Sequence, residues 1–136
     1  MIFIDSSAWI AYYRKEDAHN PEAVEIFKEI EGSEERVYTS DYIFDETVTV
    51  AMARTEREKA VKLGQHILES SHVMQVQKHV FRDAWKLFRK DEKGLSFTDC
   101  TNIALMELLG IQKIASFDTG FEGKKSIELI NKEENL

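Results

Sequence analysis

Met1-Ile2-Phe3-Ile4-Asp5-Ser6-Ser7-Ala8-Trp9-Ile10 opens the chain. Four apolar residues in a row, with no polar alternation, read as a strand buried on both faces rather than one with a wet side. The run stops on a carboxylate at Asp5 and gives way to a short helix from about Ser7 that carries Trp9, Ile10 and Tyr13. A buried strand that ends on an acid and turns straight into a helix is the opening unit of a parallel βα layer.

Outward from that unit the same alternation repeats. Further strands are predicted over Arg36–Thr39, over Val73–Val76, within Ile111–Phe117 and within Ser126–Ile130. Between the first two, Asn20-Pro21 starts a helix, with Asn20 as the cap and Pro21 at the first helical position, and Val24, Phe27 and Ile30 form its apolar stripe. A helix over Asp41–Arg54, capped by Ser40 or Asp41, is followed by another from Thr55 or Glu56 to about Ser70, with Ala60, Leu63 and Ile67 on one side. The spacing of Phe81, Ala84, Trp85 and Phe88 predicts a helix that buries its aromatic face, and Ser96–Leu109 predicts one that Gly110 terminates. The expected fold is α/β, a central parallel sheet of about five strands flanked by helices on both faces, in a single domain over 1–136.

Composition agrees and narrows the partners. The 136 residues are 43% apolar with one Pro and six Gly, enough for a packed core. Eighteen basic against 25 acidic side chains give a net charge of −7, which excludes coating duplex nucleic acid by charge alone but leaves room for a locally positive surface. The single cysteine, Cys100, excludes an internal disulfide framework and a multi-thiolate zinc site, and points to a reducing, cytoplasmic setting. The N-terminus does not read as a signal peptide, and no stretch is long enough to span a bilayer.

Where four of the acids fall is more telling than their number. Asp5 closes the first strand and Asp118 the fourth, at the sheet edge where open α/β sheets bind ligands. Glu46 lies in the first turns of the helix after the second strand, and Asp99 near the start of the helix before the fourth. Gathered carboxylates repel one another, and a divalent cation reverses that sign. All-oxygen ligation suits Mg²⁺ or Mn²⁺, which can serve the hydrolysis of a phosphodiester by activating water and steadying the leaving oxygen.

At these residues the sequence resembles the PIN-domain ribonucleases, above all their VapC-like toxin branch. Ile4-Asp5-Ser6-Ser7-Ala8-Trp9-Ile10 is similar to that family's strand-end Asp, Thr39-Ser40 through Glu46 to the helix carrying its glutamate, Ser96-Phe97-Thr98-Asp99 with Ile103-Ala104 to its third acidic motif, and Ser116-Phe117-Asp118-Thr119-Gly120-Phe121 to its fourth. The resemblance implies a metal-dependent endoribonuclease acting on single-stranded or looped RNA, a homodimer, and a small antitoxin protein as partner. It makes Asp5, Glu46, Asp99 and Asp118 the metal-binding, catalytic acids, with Ser6 supporting them through its hydroxyl. Many relatives place a further acid shortly after the third; this chain has Asn102 there, one helical turn from Asp99, where its amide would orient a water.

Blander roles compete for each residue. Asp5 and Asp99 suit helix N-termini, Asp118 suits a turn before Gly120, and Glu46 stands beside Asp41 and Asp45 on an acidic helix face. Trp9, Phe117, Phe121 and Cys100 read as core, and the four histidines as surface residues. Arg82, Lys86, Arg89 and Lys90 line one helix face, and Lys124 and Lys125 follow the fourth motif; all six are candidate RNA-phosphate contacts. Gly120 to Ser126 does not meet the phosphate-loop pattern. The alternatives to a nuclease are a Mg²⁺-dependent phosphatase or phosphotransfer domain, disfavoured because Ser7 stands where a second Asp is needed, and a catalytically inactive PIN-like binding module.

Overall fold

The computed structural model describes residues 1–124 and 126–136, with Glu133 described by its backbone alone. Five parallel strands, β1 (Ile2–Ile4), β2 (Val37–Ser40), β3 (His72–Met74), β4 (Lys113–Ala115) and β5 (Glu128–Ile130), lie in the order β3-β2-β1-β4-β5. Six helices connect them: α1 (Ser6–Tyr13), α2 (Asn20–Glu31), α3 (Asp41–Arg54), α4 (Arg57–Ser70), α5 (Lys78–Lys90) and α6 (Phe97–Leu109). All three residues of β1 are buried, as a central strand covered on both faces must be. Its register sets Phe3 opposite Tyr38 on one side and Ile114 on the other.

The chain runs outward from β1 to β3, then crosses back to β4 on the other side of β1. Right-handed crossovers therefore put α1 to α4 on one face and α5 with α6 on the other; α1 packs on α2 and α3, α3 on α4, and α5 on α6. The reversal makes the carboxyl ends of β1 and β4 a topological switch point, where the two chains diverge and leave a crevice. Asp5 N–H still bonds Ala115 C=O at 3.0 Å, so the acids after both strands start from a fixed frame.

Several sequence expectations shift. His19, not Asn20, occupies the cap position of α2; Asn20 is already helical, and its amide donates to the carbonyls of Ala11 and Tyr12 (2.8 and 3.2 Å), tying α2 to the end of α1. The buried stripe of α2 is Ala23, Ile26, Phe27 and Ile30, leaving Val24 at the surface. Ser40 does cap α3, accepting from Ile43 N–H, while Asp41 accepts from the N–H of Val76 in the loop after β3.

The largest difference lies on α5. Val80 and Ala84 are buried, but Phe81, Trp85 and Phe88 keep 45%, 48% and 39% of their surface exposed. α5 packs against α6 and no further layer covers it, so the aromatic side gathers instead around Phe97, which meets all three rings at 5.2–6.3 Å. Gly110 adopts φ +71°, the left-handed stop expected for α6.

Candidate active site

Asp5 follows β1 directly. Its backbone sits at the cap position of α1, yet its carboxylate makes no capping bond. Oδ2 accepts instead from Ser116 Oγ (2.8 Å) and Ser7 Oγ (3.2 Å), and Oδ1 from the Asn102 amide (3.2 Å). Asp5 is buried, and burial pushes its carboxyl pKa up against the pull of the Ser116 hydroxyl, the Ser6 backbone and the Ser7 hydroxyl, with Glu46 adding repulsion.

Asp99 arrives on α6 through a capping box. Ser96 Oγ accepts from Asp99 N–H and Asp99 Oδ2 accepts from Ser96 N–H, both at 3.0 Å. One carboxylate oxygen is thus spent on the helix and the other left for the crevice. Burial, with repulsion from Asp118 and Asp5, pushes the Asp99 pKa up to about 6 despite the Ser96 bonds. Asp118 also does two things. Its Oδ1 accepts from Gly120 N–H (2.9 Å), closing a turn at Thr119–Phe121, and a Cβ at Gly120 would come within 3.0 Å of Leu95 and 3.3 Å of that same oxygen.

Asp5, Asp99 and Asp118 each offer one oxygen within 4.8 Å of the others. Glu46, on α3, is solvent-exposed and stands outside that tight trio, but close enough that Asp99 and Asp118 raise its carboxyl pKa, after desolvation and against the Ser6 hydroxyl. Its exposure lets water screen much of this effect. Ser6 lines the same cleft wall as Glu46, while the hydroxyls that hold the Asp5 carboxylate are those of Ser7 and Ser116. Neither role is assigned by local sequence, whose only signals are the doubled serine after Asp5 and a serine two residues before Asp118.

The donor set fits a hard divalent cation. Three carboxylates converge with oxygen only, and among the described residues the buried Asn102 Oδ1 has no hydrogen-bond partner. Such a crevice at a switch point defines a class: α/β proteins whose clustered acids hold a divalent cation against an anionic substrate. Within that class the PIN domain family profile matches residues 2–125, and the chain belongs to this family. It is 33% identical over 134 residues, 95% of this chain and 98% of the relative, to the 23S rRNA-specific endonuclease VapC20 of Mycobacterium tuberculosis. It is 29% identical over 123 residues, 87% and 77% of the two chains, to the VapC ribonuclease of Archaeoglobus fulgidus. The crystal structure of VapC20 from M. tuberculosis, described as a Sarcin-Ricin loop cleaving toxin, superposes with a TM-score of 0.79 at 30% identity over 88% of this chain and 91% of that one. A toxin-antitoxin complex from Klebsiella pneumoniae shares the fold, with a TM-score of 0.69 at 14% identity over 93% and 95%.

The basic candidates fall elsewhere. Arg82, Lys86, Arg89 and Lys90 are exposed along α5. Lys124 pairs with Asp91 at 3.7 Å and, with Lys90, borders a groove of about 630 Å³ lined by none of the four acids. Lys125 lies outside the described residues. Cys100, Trp9 and Phe121 are core, whereas Phe117 is half-buried. Among the described residues no helix is long and apolar enough to cross a membrane.

Proposed function

We infer that this protein is a metal-dependent endoribonuclease, the toxin of a toxin-antitoxin pair, built as a single PIN-like domain over 1–136 and working in the cytoplasm. The observation that carries the reading is the meeting of Asp5, Asp99 and Asp118 within 4.8 Å at the switch point of a PIN-family sheet. These three, with Glu46 at the rim, would hold Mg²⁺ or Mn²⁺. When bound, that ion supplies positive charge to the scissile phosphate and lowers the pKa of a water toward neutrality.

The chain's own groups do the rest. Ser7, Ser116 and the Asn102 amide fix both oxygens of Asp5. The capping box fixes Asp99, and Ser6 stands in the same cleft wall as Glu46. No protein nucleophile is needed. Single-stranded or looped RNA is the substrate class that exposes its backbone to so confined a crevice, and the exposed cations of α5 would meet flanking phosphates. The family's antitoxin-bound relatives support a small protein partner, and the uncovered aromatics of α5 support a homodimer. A phosphatase mechanism finds Ser7 bonded to Asp5 where a second carboxylate would have to stand.

The test is cleavage of single-stranded RNA with Mn²⁺, with EDTA, and with Asp99→Asn as control. Cleavage only by the wild-type protein with metal is expected; intact RNA at every Mn²⁺ concentration would favour the inactive binding module.

A further inference from the structure

Beside the acids, on the α1–α3 side, lies a second cleft of about 310 Å³. It shares Ser6 and Glu46 with the acid site and extends past Val50 to Arg54, with His19 and Phe117 also in its wall. Its size is at the lower end for small-ligand clefts, enough for one nucleotide and too small for a duplex.

Two features of its wall point to a ligand with a flat ring and a negative charge. The imidazole of His19 lies parallel to the Phe117 ring, centroids 4.6 Å apart and 5° between planes. His19 stays exposed although Phe117 stacks on it, so the pair leaves room for a further ring. The pair is also fixed to the acid site: Phe117 N–H donates to Ser7 Oγ (3.0 Å), and that hydroxyl donates to Asp5 Oδ2. The second feature is Arg54, exposed and without an ion pair among the described residues. Glu46, Val50 and Arg54 follow one another at four-residue intervals on one side of α3, so Arg54 stands about 12 Å along the helix from Glu46. Two carboxylates share the wall: Glu46, at the acid-site end, and Asp17, which accepts from the His19 backbone N–H at 2.9 Å.

We propose that this cleft is a nucleotide subsite: it takes an unpaired base flanking the scissile phosphate on the His19–Phe117 stack and a neighbouring phosphate on Arg54. The assignment rests on the ribonuclease reading and adds to it where the substrate strand leaves the acids. Base stacking tolerates sequence while rejecting paired strands, whose bases are already stacked. The subsite therefore selects single-stranded or splayed-out RNA.

The test uses the full-length protein and a short single-stranded RNA carrying 2-aminopurine, whose fluorescence is quenched by stacking. His19 makes no side-chain capping bond to α2, so His19→Ala spares the fold. Binding to the Asp99→Asn protein, which keeps the RNA intact, should quench the probe, and adding His19→Ala should abolish the quench and weaken binding about 10-fold. In the otherwise wild-type enzyme, His19→Ala and Arg54→Gln should each raise KM about 10-fold and lower kcat less than about twofold, while His19→Tyr restores the KM. Unchanged KM and quench in His19→Ala and Arg54→Gln would overturn the subsite even if the enzyme cleaves RNA. Probe binding that depends on His19 in a protein that cleaves no RNA would sink the nuclease reading and leave the subsite standing. Loss of binding to a co-expressed antitoxin in both variants, with RNA constants unchanged, would reassign the cleft to a protein partner and overturn the proposal.

Discussion

The side-chain amide of Asn102 donates to Asp5 Oδ1 at 3.2 Å, joining α6 to the end of β1 across 97 positions of sequence, while the buried carbonyl oxygen of the same Asn102 has no partner among the described residues. A buried amide oxygen left unpaired costs about 1–3 kcal/mol. The fold bears that cost while the same side chain holds one oxygen of Asp5.

Asn102 should therefore behave as a positioning residue for Asp5. Asn102→Ala removes a donor from a carboxylate that burial already disfavours, and kcat/KM should fall about 10–100-fold, the usual range for groups that orient metal ligands. Asn102→Asp instead adds a charge beside Asp5. The metal-free protein should melt lower, and Mn²⁺ should bind more tightly. Equal Mn²⁺ affinity of this variant and the wild type, measured by calorimetry, would count against an ion beside Asp5.

Asp5→Asn tests the acids without changing their shape. Ser7 and Ser116 are hydroxyls that can accept as well as donate, so they can turn to meet an amide. Circular dichroism should show a retained fold. Cleavage should drop at least about 100-fold, since an ion at such a site contributes several kcal/mol to the transition state. EDTA should produce the same loss in the wild type, and added Mn²⁺ should reverse only the latter.

The raised pKa of Asp99 makes stability a reporter of the crevice. Between the ordinary value of 3.8 and about 6 the folded protein keeps a proton that the unfolded chain has released. Stability from this group is then highest at low pH and falls as pH rises through that window. Glu35 works in the opposite direction: held low by its bonds to Lys113 and the N-terminal ammonium, it loses its contribution as pH falls. Comparison with Asp99→Asn isolates the first effect. In EDTA the variant should melt above the wild type by a margin that grows from about pH 4 to pH 7 and reaches about 3 °C. Saturating Mn²⁺ should reverse the order. A margin independent of pH would show that Asp99 is not the group responsible.

What was legible in the sequence was what local chemistry determines. An apolar run broken by Asp5, the box Ser96–Asp99, and Asp118 before Gly120 each mark an element end, and in a parallel sheet element ends share an edge. The missed features depend on the closed fold. Ser7 and Ser116 meet across 109 residues, and only the register of β1 on β4 brings them together. Asn20 read as a cap because its type suits one, yet the nearby carbonyls of Ala11 and Tyr12 hold it instead. On α5 the periodicity was real but silent about what covers it. An aromatic stripe looks the same whether its own domain or a second molecule buries it.

That ambiguity on α5 yields the last prediction. Trp85 and Phe88 stack at 5.8 Å, and Phe81 and Phe97 complete a ring of aromatics, the composition of an interface centre rather than of a solvated face. If the homodimer forms here, Trp85→Lys should raise its dissociation constant about 30-fold or more, as loss of a central aromatic anchor does. Sedimentation should then find the wild type at twice the chain mass and the variant at one. Because Phe97 stands two residues before Asp99, the monomer should also lose activity, through a looser first turn of α6 rather than through the metal. Its Mn²⁺ affinity should fall less than its kcat/KM. A wild-type protein that stays monomeric at high micromolar concentration would remove the dimer and leave the aromatic face to another partner.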